Sequence, residues 1–495
     1  MLVRSYWVTF AILFLAASVF AQETHSHGVP ERLGKVSFPV SCEPAVQDEF
    51  NRGVALLHSF AYQPAQEAFR HVSSVDPGCA MAHWGAAMTS FHQVWDPALT
   101  PTNIPAGRKE IGIALQVGST SDRELRFIRA LNLIFQDSPA SYSVRAAAYE
   151  TAMSELAGQF KQEVEAQVFY ALALLANSSP SDKTHSRPKR AIEILQPLSR
   201  SYPDHPGITH YLIHACDSQE LASSGLAAAR AYAGIAPSAP HALHMPSHIF
   251  TRLGLWQDSI SSNLAARQAA NQQGDIGEEL HAMDYLVYAY LQAGRDQEAR
   301  QIVDQLATMA NLDQGSFKIA YAATAMPVRY AVERARWDEA EKITPTPGAP
   351  PQVTAIAVWA SGLALAHDEK PREARAKVER LQQFERELRD AKNDYWAAQV
   401  HILANEVASW STLTEDPDQA IALMRSAADD EDALEKLPVT PGPVIPAREQ
   451  LGYLLLRLGK SAEAGKEFDS ALASSPGRRG ALQGLARTSS ALQQH

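Results

Sequence analysis

GITHYLIHACDSQELASSGLAAARAYAGIAPSAPHALHMPSHIFTRLGLWQD (207–258) holds two pairs of histidines at a spacing of four, His210 with His214 and His244 with His248. Each member of the second pair follows its counterpart by 34 residues. A spacing of four puts two side chains on one helix face. A constant offset of 34 is the period of a helix–turn–helix unit that stacks on copies of itself. Both pairs then occupy the same positions of consecutive first helices and lie side by side.

The register extends along the chain. Counting Val46 as position 1 places Gly53, Ala65, Phe69 and Pro77 at positions 8, 20, 24 and 32. Small residues at 8 and 20 let two helices approach closely, and proline ends the second helix because it cannot continue the hydrogen-bond ladder. From Ile445, the residues Leu451, Gly452, Ala464, Phe468, Ala471 and Pro476 repeat the pattern, and 478–492 reads as the capping helix such an array needs. Pro206 and Pro240 open two further units. The fold class predicted is all-α, a tetratricopeptide-repeat (TPR) α-solenoid, a right-handed superhelix of helix hairpins. The boundaries expected are a signal peptide over 1–21, an extended lead-in over 22–45, a histidine-rich repeat array over 46–310, and further repeats with the cap over 311–495. Proline-rich breaks at 344–351 and 438–446 read as long turns or mild boundaries.

Composition agrees. The chain has 495 residues, 46% hydrophobic and 20% charged, and a net charge of -11. A solenoid grows by adding repeats, so this length needs no single large core. The acidic balance and lack of a basic stripe argue against nucleic acid as partner. Arg4, the apolar run Val8–Phe20 and the small residues around Ala21 form a secretory signal, which places the mature protein outside the cytoplasm, secreted or periplasmic, starting near Gln22. No later stretch is apolar enough to span a membrane. Of three cysteines, Cys42 and Cys79 are either a disulfide or two buried thiols, and both readings stand. Cys216 reads as a packed free thiol.

In stacked TPR units the first helices line the concave face, chiefly through positions 2, 5, 9, 12 and 13. His210 and His244 fall at 5, His214 and His248 at 9, and His241 at 2. A repeat starting near Leu280 puts His281 at 2, Asp284 at 5 and Tyr288 at 9, while His58 and His92 both fall at 13. Neutral imidazole ligates zinc, copper, nickel and iron. The candidate metal ligands are therefore His210, His214, His244, His248, His281 and Asp284, with His58, His92, His241 and Tyr288 as further groove residues. Zinc or copper suits this donor set best. Such an ion would activate water or dioxygen, and the residues do not choose between hydrolysis and oxidation. HYLIH lacks the glutamate of HExxH, which argues against zincin protease chemistry. Pro246 either kinks its helix or starts it, since Met245 should avoid the helical region; if the helix begins there, His244 belongs to the preceding turn and is detached from His248. The alternative is a non-catalytic scaffold whose groove takes a peptide or protein.

The segments FNRGVALLHSF (50–60), DPGCAMAHWGAAM (76–88), HPGITHYLIHACD (205–217), HALHMPSHIFTRLG (241–254) and HAMDYLVYAYLQAGR (281–295) resemble the signature stretches of a group of secreted bacterial TPR proteins. The similarity covers about residues 36–310. It implies an exported α-solenoid with a histidine-rich centre, and its histidine positions carry over onto His58, His92, His210, His214, His244, His248 and His281. It implies architecture and no particular activity.

Overall fold

Phe69 shows how the repeats lock. A Cβ placed on Gly53, in the first helix of the same hairpin, would sit 2.8 Å from the Phe69 ring, and one on Gly85, in the next first helix, 2.5 Å from it. The phenyl ring thus wedges between two helices that touch it through bare backbone. Phe468 repeats the device between Gly452 and Gly484, with corresponding distances of 2.6 and 2.3 Å. The position-8 glycine and position-24 aromatic read from the sequence are one packing unit, because only glycine leaves room for the ring.

The computed structural model describes residues 31–95, 98–117, 121–138 and 140–492; the signal segment 1–21 and His25 and His27 lie outside the described residues. The described chain is all-α, consecutive helices packing as hairpins from Gln47–His58 to Arg479–Leu492. Ahead of them residues 32–43 run without helix, as expected. Phe38 anchors this lead-in, its buried ring edge-on to Trp84 at 5.8 Å and to Phe127 at 5.1 Å. Cys42 and Cys79 form a disulfide that ties the lead-in to the start of helix Ala80–Met88. Cys216 is a buried free thiol. Among the described residues no helix is long and apolar enough to cross a membrane.

Three hairpins matter for the site. Pro206–Ala215 pairs with Ala222–Ile235, and both Pro206 and Pro240 begin helices as the register requires. Pro240–His244 and Pro246–Arg252 together form the next first helix, backed by Trp256–Gln273. Ile276–Gln292 is the third, with Asp296–Thr308 behind it. The expectation about Met245 is corrected: its φ of -53° and ψ of -36° are helical despite the proline that follows. The helix tightens to absorb the ring, since the His248 N–H donates to Met245 O three residues back. His244 and His248 therefore stay on one face.

The C-terminal part of the chain touches the histidine-bearing repeats. Residues 438–446, read as a long turn or a mild boundary, and 434–437 ahead of them pack against the histidine-bearing helices. Glu435 N–H donates to Pro180 O at 2.7 Å, and Lys436 pairs with Asp217 at 2.8 Å. Tyr285 Oη lies 3.2 Å from Pro438 O and 3.1 Å from Thr440 O. Arg329 donates to the carbonyls of Gly442 and Pro443 at 3.0 and 3.2 Å. A proline-rich strand makes no ladder of its own, so its carbonyls are free to accept from the surrounding helices. At the histidine-bearing repeats the chain's own C-terminal part thus covers the face expected to be an open groove.

Candidate metal centre

His210 and His214 lie on Pro206–Ala215, His241, His244 and His248 on the next first helix, and His281 on Ile276–Gln292. Stacking brings them together as two sets, His210 with His214 and His241, and His244 with His248 and His281. Within each set the donor atoms lie within 4.8 Å of one another. The sets adjoin: the His241 and His244 rings are 6.0 Å apart, centre to centre, and those of His214 and His248 6.2 Å. His210, His241, His244, His248 and His281 are each at most 3% exposed, and His214 is part-buried.

Their partners settle where the protons are. His210 Nδ1 donates to the His58 carbonyl at 2.6 Å, which can only accept. His241 Nδ1 faces Glu278 Oε2 at 3.2 Å, and His248 Nδ1 faces Asp217 Oδ2 at 2.8 Å. His244 Nδ1 meets Asn263 Oδ1 at 2.6 Å, an oxygen turned toward it because Asn263 Nδ2 donates to Ser259 O. In all four rings Nδ1 carries a hydrogen, and on the neutral rings of His210, His244 and His248 that leaves Nε2 with a bare lone pair. The Nε2 atoms of His210, His214, His241 and His281 are buried and have no hydrogen-bond partner among the described residues, while those of His244 and His248 face each other at 3.0 Å. Inward lone pairs with carboxylates, an amide and a carbonyl holding the far nitrogens is the pattern of ligating histidines.

At neutral pH a proton does not take the place of the ion on His210, His214, His244, His248 or His281. Burial, then neighbouring imidazoles, holds His210, His214 and His244 well below the ordinary histidine range. Burial also holds His281 down, against the pull of Glu278, and brings His248 to about 4 despite Asp217. The outer carboxylates stay ionised: burial pushes Asp217 and Glu278 up, but Lys436 and Arg252 beside the first, and Lys318 and His241 beside the second, outweigh it. Two imidazole nitrogens each about 2.0–2.1 Å from one zinc ion stand about 3.0 Å apart when the angle between them is near 90–100°. The residues fit a transition ion in each set.

Two other groupings look similar and differ in this respect. His58, Glu165 and His205 are buried together, but His58 Nε2 and His205 Nε2 each donate to Glu165 at 2.8 Å. Their remaining nitrogens are also used, by Tyr211 Oη at 3.0 Å and by the Ile208 N–H at 3.3 Å. That is a satisfied structural network. Cys42 and Cys79, near Asp76, are spent in the disulfide.

The remaining sequence candidates fall outside the two sets. Asp284 is fully buried against Arg329, at 2.8 and 3.4 Å. His92 donates to Thr89 O at 3.1 Å and stacks on Tyr62 at 4.0 Å. Tyr288 lies under the Arg329 and Arg478 guanidinium groups. Trp95 covers the centre, 5.8 Å from both His241 and His281. The orienting residues Asp217, Asn263 and Glu278 escaped the sequence reading. Asp217 and Glu278 each sit three residues from a histidine of the set, a proximity that carries no signal by itself.

Fold and site together define a TPR-like helical-repeat protein with a buried histidine centre. No protein-family model matches the chain, and no curated protein matches it. Among solved structures it is similar to the P58(IPK) TPR domain, at 12% identity and a TM-score of 0.23, over 91% of this chain and 99% of that one. It is also similar to the Naa15/Naa10 structure with HypK-THB, at 12% identity and a TM-score of 0.24, over 89% of this chain and 60% of that one. These likenesses are weak, and the repeat architecture rests on the helices themselves.

Proposed function

We propose that this chain is an exported metalloprotein that holds two transition ions side by side, one in His210, His214 and His241 and one in His244, His248 and His281. The observation that carries this reading is the set of buried Nε2 atoms, opposed or without a partner among the described residues, with His210, His241, His244 and His248 held from behind by a fixed acceptor. With three imidazoles and no carboxylate in either set, copper and zinc suit the centre better than magnesium, calcium or manganese. Such ions supply Lewis acidity, activating water or, as copper, binding dioxygen. The chain's own contribution is to fix ring orientation through Asp217, Glu278, Asn263 and the His58 carbonyl, and to exclude water with Trp95 and residues 434–446. The Cys42–Cys79 disulfide supports an oxidising compartment. A scaffold reading would need these histidines presented to a partner, and they are buried.

Elemental analysis of untagged protein tests this. Two equivalents of metal are expected, falling to one in His241→Ala or His281→Ala and unchanged in His58→Ala. Metal-free protein after loading with copper or zinc, or uptake that depends on His58 instead, would overturn the reading.

A further inference from the structure

Residues 434–446 join helix Pro417–Asp432 to helix Ala447–Arg457 with no helix or strand of their own. They touch the two histidine sets unequally. Asp217 Oδ2 holds His248 Nδ1 at 2.8 Å and takes Lys436 Nζ at 2.8 Å, while Oδ1 accepts from Arg252 Nε at 2.9 Å. Arg252 also reaches Glu435 at 3.3 Å, so Asp217, Arg252, Glu435 and Lys436 close into a quartet with two charges of each sign. Tyr285 makes a second post. Its ring packs on His244 and His281, 4.7 and 5.3 Å between centres, and its Oη lies 3.4 Å from His248 Nε2 and 3.1 Å from Thr440 O.

The set of His210, His214 and His241 has no such tie. Its outer partners are the His58 carbonyl and Glu278, with Lys318 behind Glu278 at 2.6 Å. Among the described residues none of these is hydrogen-bonded to 434–446. The Lys436 charge is felt at both His214 and His248, so its contact with Asp217, and not its field, is what tells the sets apart. A carboxylate gripped at both oxygens has one orientation. Gripped by Arg252 alone, Asp217 can turn and take the His248 ring with it. A segment tied down by side chains also opens at lower cost than the helices around it.

We propose that residues 434–446 are a strap whose seating is coupled to the ion in the set of His244, His248 and His281. The seated strap completes that site by fixing Asp217, and an ion there holds the strap down. The set of His210, His214 and His241 loads without it. Coupling is reciprocal: the factor by which the strap tightens the ion is the factor by which the ion favours the seated strap. One site is thereby built from both ends of the chain, Lys436 reaching back 219 residues to Asp217. The coupling rests on the metal reading.

Zinc titration of the full-length protein against a competing chelator tests it. His241→Ala leaves the strap-linked set complete, and His281→Ala leaves the other. Glu435→Gln combined with Lys436→Met removes one charge of each sign, which breaks the quartet and keeps the net charge. Added to His241→Ala, the pair should weaken zinc about 10–100-fold. Added to His281→Ala, it should leave the affinity unchanged. Hydrogen exchange supplies a readout that leaves the strap unaltered. The amides of Glu435 and Leu437 donate to Pro180 O and Tyr395 Oη at 2.7 and 3.2 Å. Zinc should slow their exchange in the unsubstituted and His241→Ala proteins and not in His281→Ala. Zinc bound with no change in that exchange, or equal losses of affinity in the two backgrounds, overturns the coupling and leaves the metal reading standing. No zinc bound by the unsubstituted protein overturns both.

Discussion

His244 and His248 point Nε2 at Nε2 across 3.0 Å, while Asn263 and Asp217 hold their opposite nitrogens at 2.6 and 2.8 Å. Two lone pairs at that distance repel unless a cation stands between or beside them. The pair is therefore strained without an ion and relaxed with one. Asp217→Asn weakens the hold on the His248 ring, and metal affinity should fall about 10–100-fold. Competition with a chelator of known affinity measures this, and an unchanged affinity would remove Asp217 from the orienting role.

Glu165→Gln should separate structure from metal binding. The carboxylate accepts from both His58 and His205 in a fully buried network. The amide can accept from only one of them without rearrangement, so stability should fall by about 1–3 kcal/mol. Urea unfolding reads the loss, and the metal content should stay at two per chain.

Gly452→Val should destabilise the last hairpin, because its new carbons meet the Phe468 ring already within contact of a bare Cα. A cost of about 1–3 kcal/mol follows from overpacking. Phe468→Ala leaves a cavity at the same place and should cost about 3–5 kcal/mol. Thermal unfolding of the two variants compares them, and neutrality of both would contradict the wedge.

Acid should unfold the metal-free protein in a defined window. His248 titrates near 4 in the fold and from 6.5 as an unperturbed histidine, and His210, His214, His244 and His281 are also lowered. Between those values the unfolded chain binds more protons than the folded one, so stability rises with pH there and is lost as pH falls. Melting temperature of the metal-free protein should be level above about 7 and drop from 6.5 toward 4, and the loaded protein should resist until its metal is released. A flat profile would mean the rings are already charged or exposed.

The period of 34 was enough to place His214 beside His248, since stacking geometry follows from local repeat length, whereas His210 lies against His241, 5.1 Å between ring centres. How the rings divide into sets was not legible. His241, one residue past the start of its helix, joins the preceding repeat's pair, and that depends on the rotation between hairpins. Asp284 occupies a groove position yet pairs with Arg329, 45 residues on. Residues 434–446 reach Asp217 and Tyr285 across more than 150 residues, and no periodicity announces such a contact. Met245 departed from the rule for residues before proline because the tightened turn and its burial outweigh a local steric preference.

Crystals of the untagged protein, measured just above and just below the absorption edge of the bound metal, test the central claim most directly. Two anomalous peaks are predicted, one about 2.0–2.1 Å from the Nε2 atoms of His210, His214 and His241 and one at the same distance from those of His244, His248 and His281. A loaded crystal with no peak in either set, or with its peak at His58, Glu165 and His205, would contradict the account.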